Sequence, residues 1–152
     1  MAANSSKEKG TRAENLAKTI LKQYTGLCWE RTPLSGALDE KHGIKADIYI
    51  PSKNNIYCVE VKHYEKDHVN TSVFTSKNPE LFSWWSQTIR QSTQVGKKPL
   101  LVFKHNRSKL FVAFKDQPNS IFNYIFISIN DYDFYISLLE DWLRYEQPKF
   151  IS

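Results

Sequence analysis

The chain has 152 residues, which is enough for one domain with a hydrophobic core of its own. Its 41% hydrophobic and 24% charged residues exclude collagen-like, disulfide-rich and wholly disordered proteins, and no apolar run approaches the roughly 20 residues that cross a membrane. The two cysteines, Cys28 and Cys58, lie far apart and lack metal-binding spacing, so we expect a reduced, intracellular protein that is not secreted.

Charge is unevenly distributed along the sequence. Residues 67–115 carry 8 basic and 2 acidic side chains, whereas residues 116–152 carry 2 basic and 6 acidic ones. The net charge of +5, with its excess in the middle of the chain, favours a polyanionic partner, most often nucleic acid. The alternative is a solvated surface whose excess lysines only keep the protein soluble.

Hydrophobic spacing and turn residues predict the elements of one α/β domain that has a mixed sheet with helices against it. In chain order these are a flexible polar arm (1–8), a helix that ends near Gly26, strands (28–32, 46–50 and 56–62), a helix (78–95), strands (99–104, 110–115 and 121–129) and a helix (131–145). The last helix either forms a dimer surface or closes on the sheet through a set of apolar residues. These are Phe134, Tyr135, Leu138, Leu139 and Trp142.

The predicted hairpin over residues 46–62 carries the most informative pattern. With its turn centred on residues 53–54, Asp47 lies directly opposite Glu60, and strand alternation places Lys62 on the same face. The other face is aliphatic and can pack on the core; it consists of Ile48, Ile50, Val59 and Val61.

Two neighbouring carboxylates on one strand face repel each other and do not help folding by themselves. They suit a hard cation such as Mg²⁺, which takes oxygen ligands and bridges to phosphate. A lysine beside them can orient a water or offset the charge of a reacting phosphate. The alternative is a solvated strand face with an ion pair between Glu60 and Lys62.

The same residues resemble a known family. Asp47, twelve intervening residues and then Glu60-Val61-Lys62 resemble the signature of PD-(D/E)XK nucleases. Two further segments, Lys9 to Glu14 and Arg31 to Gly36, extend the resemblance to the archaeal-type Holliday junction resolvases, over residues 9–115. The sequence departs from the signature at Ala46, where the superfamily name has a proline.

The resemblance implies a restriction-endonuclease-like fold and a metal-dependent DNA endonuclease that cleaves branched DNA such as four-way junctions. It also implies Mg²⁺ as cofactor, with Mn²⁺ able to substitute, and a homodimer that cuts two symmetric strands. The alternatives are another PD-(D/E)XK nuclease of restriction, repair or exonuclease type, or a basic nucleic-acid-binding protein without catalysis.

Site residues follow from the resemblance together with the basic excess. The expected catalytic residues are Glu14, Ser35, Asp47, Glu60 and Lys62. The expected metal-binding residues are Asp47, Glu60 and Val61. The expected nucleic-acid-binding residues are Arg12, Lys45, Gln87, Gln91, Lys97, Lys98 and Arg107.

Several of these residues have a simpler explanation that the sequence leaves open. Thr11 and Glu14 match a capping box, so Glu14 could cap its own helix. Ser35 fits ordinary turn chemistry. Lys45 and the two glutamines could be solvated surface residues, and His63, next to Lys62, is expected near the site.

Overall fold

The computed structural model of the chain describes residues 6–33 and 46–152. Its helices are α1 (Ser6–Thr25), α2 (Ser72–Thr75), α3 (Glu80–Gln94) and α4 (Leu139–Asp141), the last continuing into a π-helical turn (Trp142–Glu146). Its strands are β1 (Glu30–Arg31), β2 (Ile48–Tyr49), β3 (Tyr57–Tyr64), β4 (Lys98–His105), β5 (Phe111–Phe114), β6 (Tyr124–Ile129) and β7 (Tyr132–Leu138). None of the described helices is both long enough and apolar enough to cross a membrane.

The strands of the described ranges form one seven-stranded sheet in the order β1-β2-β3-β4-β5-β7-β6. β3 and β4 are parallel and are joined by α3, which ends where Gly96 takes a left-handed conformation (φ 66°) and turns the chain into β4. The other neighbouring strands are antiparallel. The predicted α/β domain with a mixed sheet is therefore confirmed.

Side chains alternate between the two faces of each strand, so the sheet has an apolar core on either face. Helices cover both of these cores. On β4, Leu100 and Val102 face the α1-side core, whereas Leu101 and Phe103 face the α3-side core. The four aliphatic residues of the predicted hairpin all lie in the α1-side core, as the alternation pattern predicts; they are Ile48, Ile50, Val59 and Val61.

The helix predicted over residues 131–145 is wrong for its first half, which is strand β7. Asn130 has a φ of 54° and reverses the chain between β6 and β7. Phe134 and Ile136 then point into the α3-side core, and Tyr135 packs on Phe114 of the opposite core. The four-residue spacing of Phe134 and Leu138 fits a helix as well as a strand with these alternating faces. Only the part after Leu138 is helical.

The second half of the predicted closing helix does close on the sheet. Leu139 and Trp142 are 0% and 2% exposed and belong to the α1-side core. At the other terminus, α1 begins at Ser6, so it includes residues that the sequence placed in a polar arm.

Asn55 closes the turn between β2 and β3 with its side chain. Its Oδ1 accepts the Ile50 N–H at 2.8 Å, and its Nδ2 donates to the carbonyls of Ile50 at 2.8 Å and Lys53 at 3.0 Å. The amide thus substitutes for a strand partner of Ile50. These bonds hold the strand pair in the register that pairs Ile48 with Val59.

We expect Asn55→Ala to lower the free energy of unfolding by about 2 kcal/mol, because it leaves the Ile50 N–H and carbonyl without their partner. Urea denaturation measures the change. The matched control is Asn54→Ala, which removes only an exposed bond to Ser152 and should cost less than about 0.5 kcal/mol. Equal losses in the two variants would contradict this role of Asn55.

Candidate active site

Asp47 precedes β2 and contacts β3 on both sides of Glu60. Its N–H donates to the Val59 carbonyl at 2.8 Å, and its Oδ2 accepts the Val61 N–H at 2.8 Å. Val59 is also the partner of Ile48, so two residues of one strand oppose one residue of β3, as at a β-bulge. The predicted register is confirmed at Ile48. The prediction that Asp47 lies directly opposite Glu60 is wrong, because the bulge places Asp47 against Val59.

The same stretch of β3 carries two further oxygen donors, the Glu60 carboxylate and the Val61 carbonyl. Glu60 is 4% exposed, although burial of a carboxylate is costly unless it is paired, hydrogen-bonded or bound to a cation. The N–H and carbonyl of one strand residue point to the same side, so the Val61 carbonyl faces the Asp47 side of β3. Lys62, half-buried, follows directly on β3.

Glu14 lies on α1 and is held beside Asp47 by an arginine. Its Oε1 accepts a bond from Arg31 Nε at 2.9 Å, and its side chain is 15% exposed. Burial raises the pKa of Glu14, the Arg31 hydrogen bond and charge counteract this rise, and the negative charge of Asp47 adds to it. Asp47 is therefore close enough to Glu14 to raise its pKa.

The capping-box explanation of Glu14 is wrong. α1 begins at Ser6, so Thr11 lies inside the helix rather than at its N-cap, and its hydroxyl accepts a bond from Arg31 Nη2 at 3.4 Å. Arg31 is the site residue that sequence reasoning missed. The sequence offers one signal for its role: Arg31 lies in a predicted strand, and in the structure that strand is β1, where Arg31 pairs with Ile48 next to Asp47.

His63 links α1 to the turn between β4 and β5. Its Nδ1 lies 3.4 Å from the Lys9 carbonyl and its Nε2 lies 3.0 Å from Asn106 Oδ1. A cleft of about 400 Å³ opens beside it between the start of α1 and the end of β3. Lys62 and His63 both line this cleft. That His63 lies near the active site stays a prediction.

The two glutamines lie on α3, on the opposite side of the sheet from α1. Gln91 Oε1 is buried and has no hydrogen-bond partner among the described residues. α3 runs antiparallel to β3, and Trp84 stacks on Tyr64 with ring centroids 4.4 Å apart. Gln91 lies seven residues, about 10 Å, beyond Trp84 along α3. Glu60 lies four residues, about 13 Å, before Tyr64 along β3, which is the same direction because the two elements are antiparallel. Gln91 is therefore level with Glu60, whereas Gln87 lies one turn nearer Trp84.

The predicted DNA-binding cations are divided between the two ends of the sheet. Arg12 near the start of α1 and Arg107 in the β4–β5 turn lie at the end where β3 finishes. Lys97 and Lys98 lie at the other end, where Lys97 Nζ donates to the Asn55 carbonyl and Lys98 pairs with Asp116, both at 2.7 Å. Ser35 and Lys45 lie outside the described residues.

A sequence model of the family described as phage putative PDDEXK endonuclease matches residues 5–152. The chain belongs to this nuclease family. It is also similar to protein D14 of Escherichia phage T5, with 36% identity over 148 residues that cover 92% of either chain. No solved structure matches the chain significantly.

The family match confirms the PD-(D/E)XK nuclease superfamily and, with the mixed sheet between helices, the restriction-endonuclease-like fold. It also includes residues 116–152, which the resemblance to resolvases did not cover. The likeness to archaeal resolvases stays a prediction.

The coupling between Glu14 and Asp47 can be measured directly. Asp47→Asn removes a negative charge that raises the pKa of Glu14, so the pKa of Glu14 should fall. Because the raised pKa makes the folded state bind more protons than the unfolded state, the wild type loses folding stability as pH rises from the ordinary carboxyl pKa to the pKa of folded Glu14. In Asp47→Asn this pH range should be narrower. Carboxyl-carbon NMR titration of Glu14 gives the pKa. An unchanged value would mean that the two carboxylates do not interact.

Proposed function

We propose that the protein is a metal-dependent endonuclease that hydrolyses a phosphodiester bond in branched DNA. The observation that supports this most directly is the bond from the Val61 N–H to the Asp47 carboxylate, which holds that carboxylate against β3 at the residue after the buried Glu60. Lys62 follows on the same strand. Two carboxylates, a backbone carbonyl and a lysine within one short stretch of sheet suit phosphoryl chemistry better than DNA binding, because acids repel phosphate.

The oxygen donors fit Mg²⁺. No group of three His, Cys, Asp or Glu side chains in residues 6–33 and 46–152 is placed to hold a metal ion, which argues against a zinc-like cage of side chains. Mg²⁺ instead takes one or two carboxylates and completes its shell with waters and substrate phosphate. Asp47, Glu60 and the Val61 carbonyl would hold it, with Mn²⁺ able to substitute.

The side chains of the site would have different roles in the reaction. When bound, Mg²⁺ supplies positive charge and a template that orients the phosphate. Lys62 donates hydrogen bonds to the attacking water or to a phosphate oxygen, where negative charge develops. Arg31 holds Glu14 against Asp47, and Gln91 supports Glu60 from α3. Ser35 is proposed to lie beside the scissile phosphate.

DNA is proposed to lie across the sheet end where β3 finishes, since Arg12 and Arg107 lie there. Lys45, two residues before Asp47, would add a phosphate contact. Lys97 and Lys98 stay predicted phosphate contacts at the far end, and each would have to exchange its present partner for DNA. The free thiols of Cys28 and Cys58 agree with the intracellular setting that we propose.

We expect Asp47→Asn and Glu60→Gln each to abolish cleavage while DNA affinity is kept, because the carboxylates serve the metal and not the DNA. The assay compares four-way junction, linear duplex and single-stranded DNA, each with Mg²⁺ or with EDTA. The wild type should cut the junction fastest and should cut nothing in EDTA. Cleavage in EDTA, or near-normal cleavage by either variant, would refute the metal site, and equal rates on all three DNAs would refute the preference for branched DNA.

Lys62→Ala in the same assay should lower the single-turnover rate about 100-fold or more, as expected for a lost preorganised donor. DNA affinity should change little, because one phosphate contact among several is a small share of the total. The matched control is Lys53→Ala, in the exposed turn at the other end of the hairpin. If Lys62 is only a surface partner of Glu60, both variants will cut at the wild-type rate.

The predicted homodimer is proposed to form through strand β6, which is one edge of the sheet. β6 carries no charged residue, although natural proteins protect exposed sheet edges with charges. Tyr124, Ile125 and Phe126 are 40%, 48% and 52% exposed. An antiparallel pairing of β6 with β6 of a second chain would cover these three side chains. It would leave β3 accessible, because β6 lies four strands away from β3 in the sheet.

Light scattering after size exclusion should therefore give about twice the 17.8 kDa mass of one chain. Ile125→Lys places like charges opposite each other across the two-fold axis and should yield monomers. Leu16→Lys, at an exposed position of α1, is the control and should stay dimeric. A monomeric wild type, or a dimeric Ile125→Lys variant, would contradict this interface.

A further inference from the structure

Phe74 is an exposed aromatic residue that the site described above does not use. Its side chain is 78% exposed on α2, whereas the neighbouring Val73 is 4% exposed and packs in the α3-side core. α2 belongs to the connecting segment 65–79, which leads from the end of β3 to the start of α3. The ring is therefore presented to solvent at the same end of the sheet as Lys62.

The connecting segment is held in place by specific contacts. The Asp67 side chain accepts the Val69 N–H at 2.8 Å, and the Asn70 side chain accepts the Ser72 N–H at 2.9 Å. His68 packs against the Trp84 ring, with centroids 4.8 Å apart. These contacts fix the backbone on which Phe74 stands, so little conformational freedom would be lost when the ring binds a ligand.

The surroundings of Phe74 are basic. The connecting segment, the end of β3 and the β4–β5 turn are next to one another, since the Asn106 N–H donates to the Glu65 carbonyl at 3.4 Å. Together they carry two acids, Glu65 and Asp67, against five lysines and arginines. These are Lys62, Lys66, Lys77, Arg107 and Lys109.

We propose that Phe74 is a stacking platform for an unpaired DNA base next to the cleaved phosphate. The basic surface attracts a polyanion, and nucleic acid is the polyanion that also brings flat base rings; the proposed function specifies DNA. In a continuous duplex both faces of each base are already stacked, so only a base at a branch point, bulge or single strand can cover Phe74. This inference rests on the proposed function and names its substrate more closely: DNA that has an unpaired nucleotide at the cleavage site.

Binding titrations in EDTA test the proposal without cleavage. The probes are a fluorescein-labelled duplex and the same duplex with one unpaired adenine. The wild type should prefer the bulged probe. Phe74→Ala should lose about tenfold or more in affinity for the bulged probe and change little on the duplex, as expected for one lost base–aromatic stack. Phe74→Trp should restore the preference.

The matched control is Ile121→Ala, which removes another exposed apolar side chain, 98% exposed, from the loop before β6. It should bind both probes as the wild type does, and thermal unfolding should show that all variants fold. Equal affinity of Phe74→Ala and wild type for the bulged probe would overturn the stacking role and leave the nuclease intact. A wild type without preference for the bulged probe would also overturn the stacking role, whereas failure to cleave the four-way junction with Mg²⁺ would overturn the proposed function itself.

Discussion

The hydrogen bond from the Val61 N–H to the Asp47 carboxylate sets the geometry of the whole site. A side-chain oxygen of the residue before β2 takes a position that a backbone carbonyl would occupy in a regular sheet. The Val61 carbonyl points to the same side of β3. A one-residue slip of the hairpin would break this bond and expose the aliphatic residues of the α1-side core at the same time. The packing that folds the protein thus also holds its candidate catalytic groups.

Burial is the second constraint on the site. Glu60 is almost fully buried and Glu14 is largely buried, and burial disfavours the charged form of both. Arg31 compensates part of this cost at Glu14 through a bond of 2.9 Å. In the proposed function, a divalent cation would add positive charge at Asp47 and Glu60. The cost of burial thus falls on carboxylates that we propose to be catalytic, as is common at functional sites.

The sequence predicted the parts of the fold that depend on alternation and turn chemistry. The register at Ile48 and the shared face of four aliphatic residues followed from the strand period alone. Strand β7 did not, because the spacing of Phe134 and Leu138 also fits a helix. The distinction required knowing that Phe134 and Tyr135 pack into cores on opposite faces of the sheet.

The contacts that complete the site were harder to predict because they join distant parts of the chain. Arg31 and Glu14 are 17 residues apart, and His63 and Asn106 are 43 residues apart. Neither pair leaves a periodic signal. The bond between Asp47 and the Val61 backbone has no sequence signature either, since the same residue types would occur in a regular hairpin.

Anomalous diffraction from crystals soaked in Mn²⁺ tests the central claim most directly, because it locates the metal without relying on activity. The account predicts a manganese peak bounded by the carboxylates of Asp47 and Glu60 and by the Val61 carbonyl. A peak at other acidic residues, with none between Asp47 and Glu60, would contradict it.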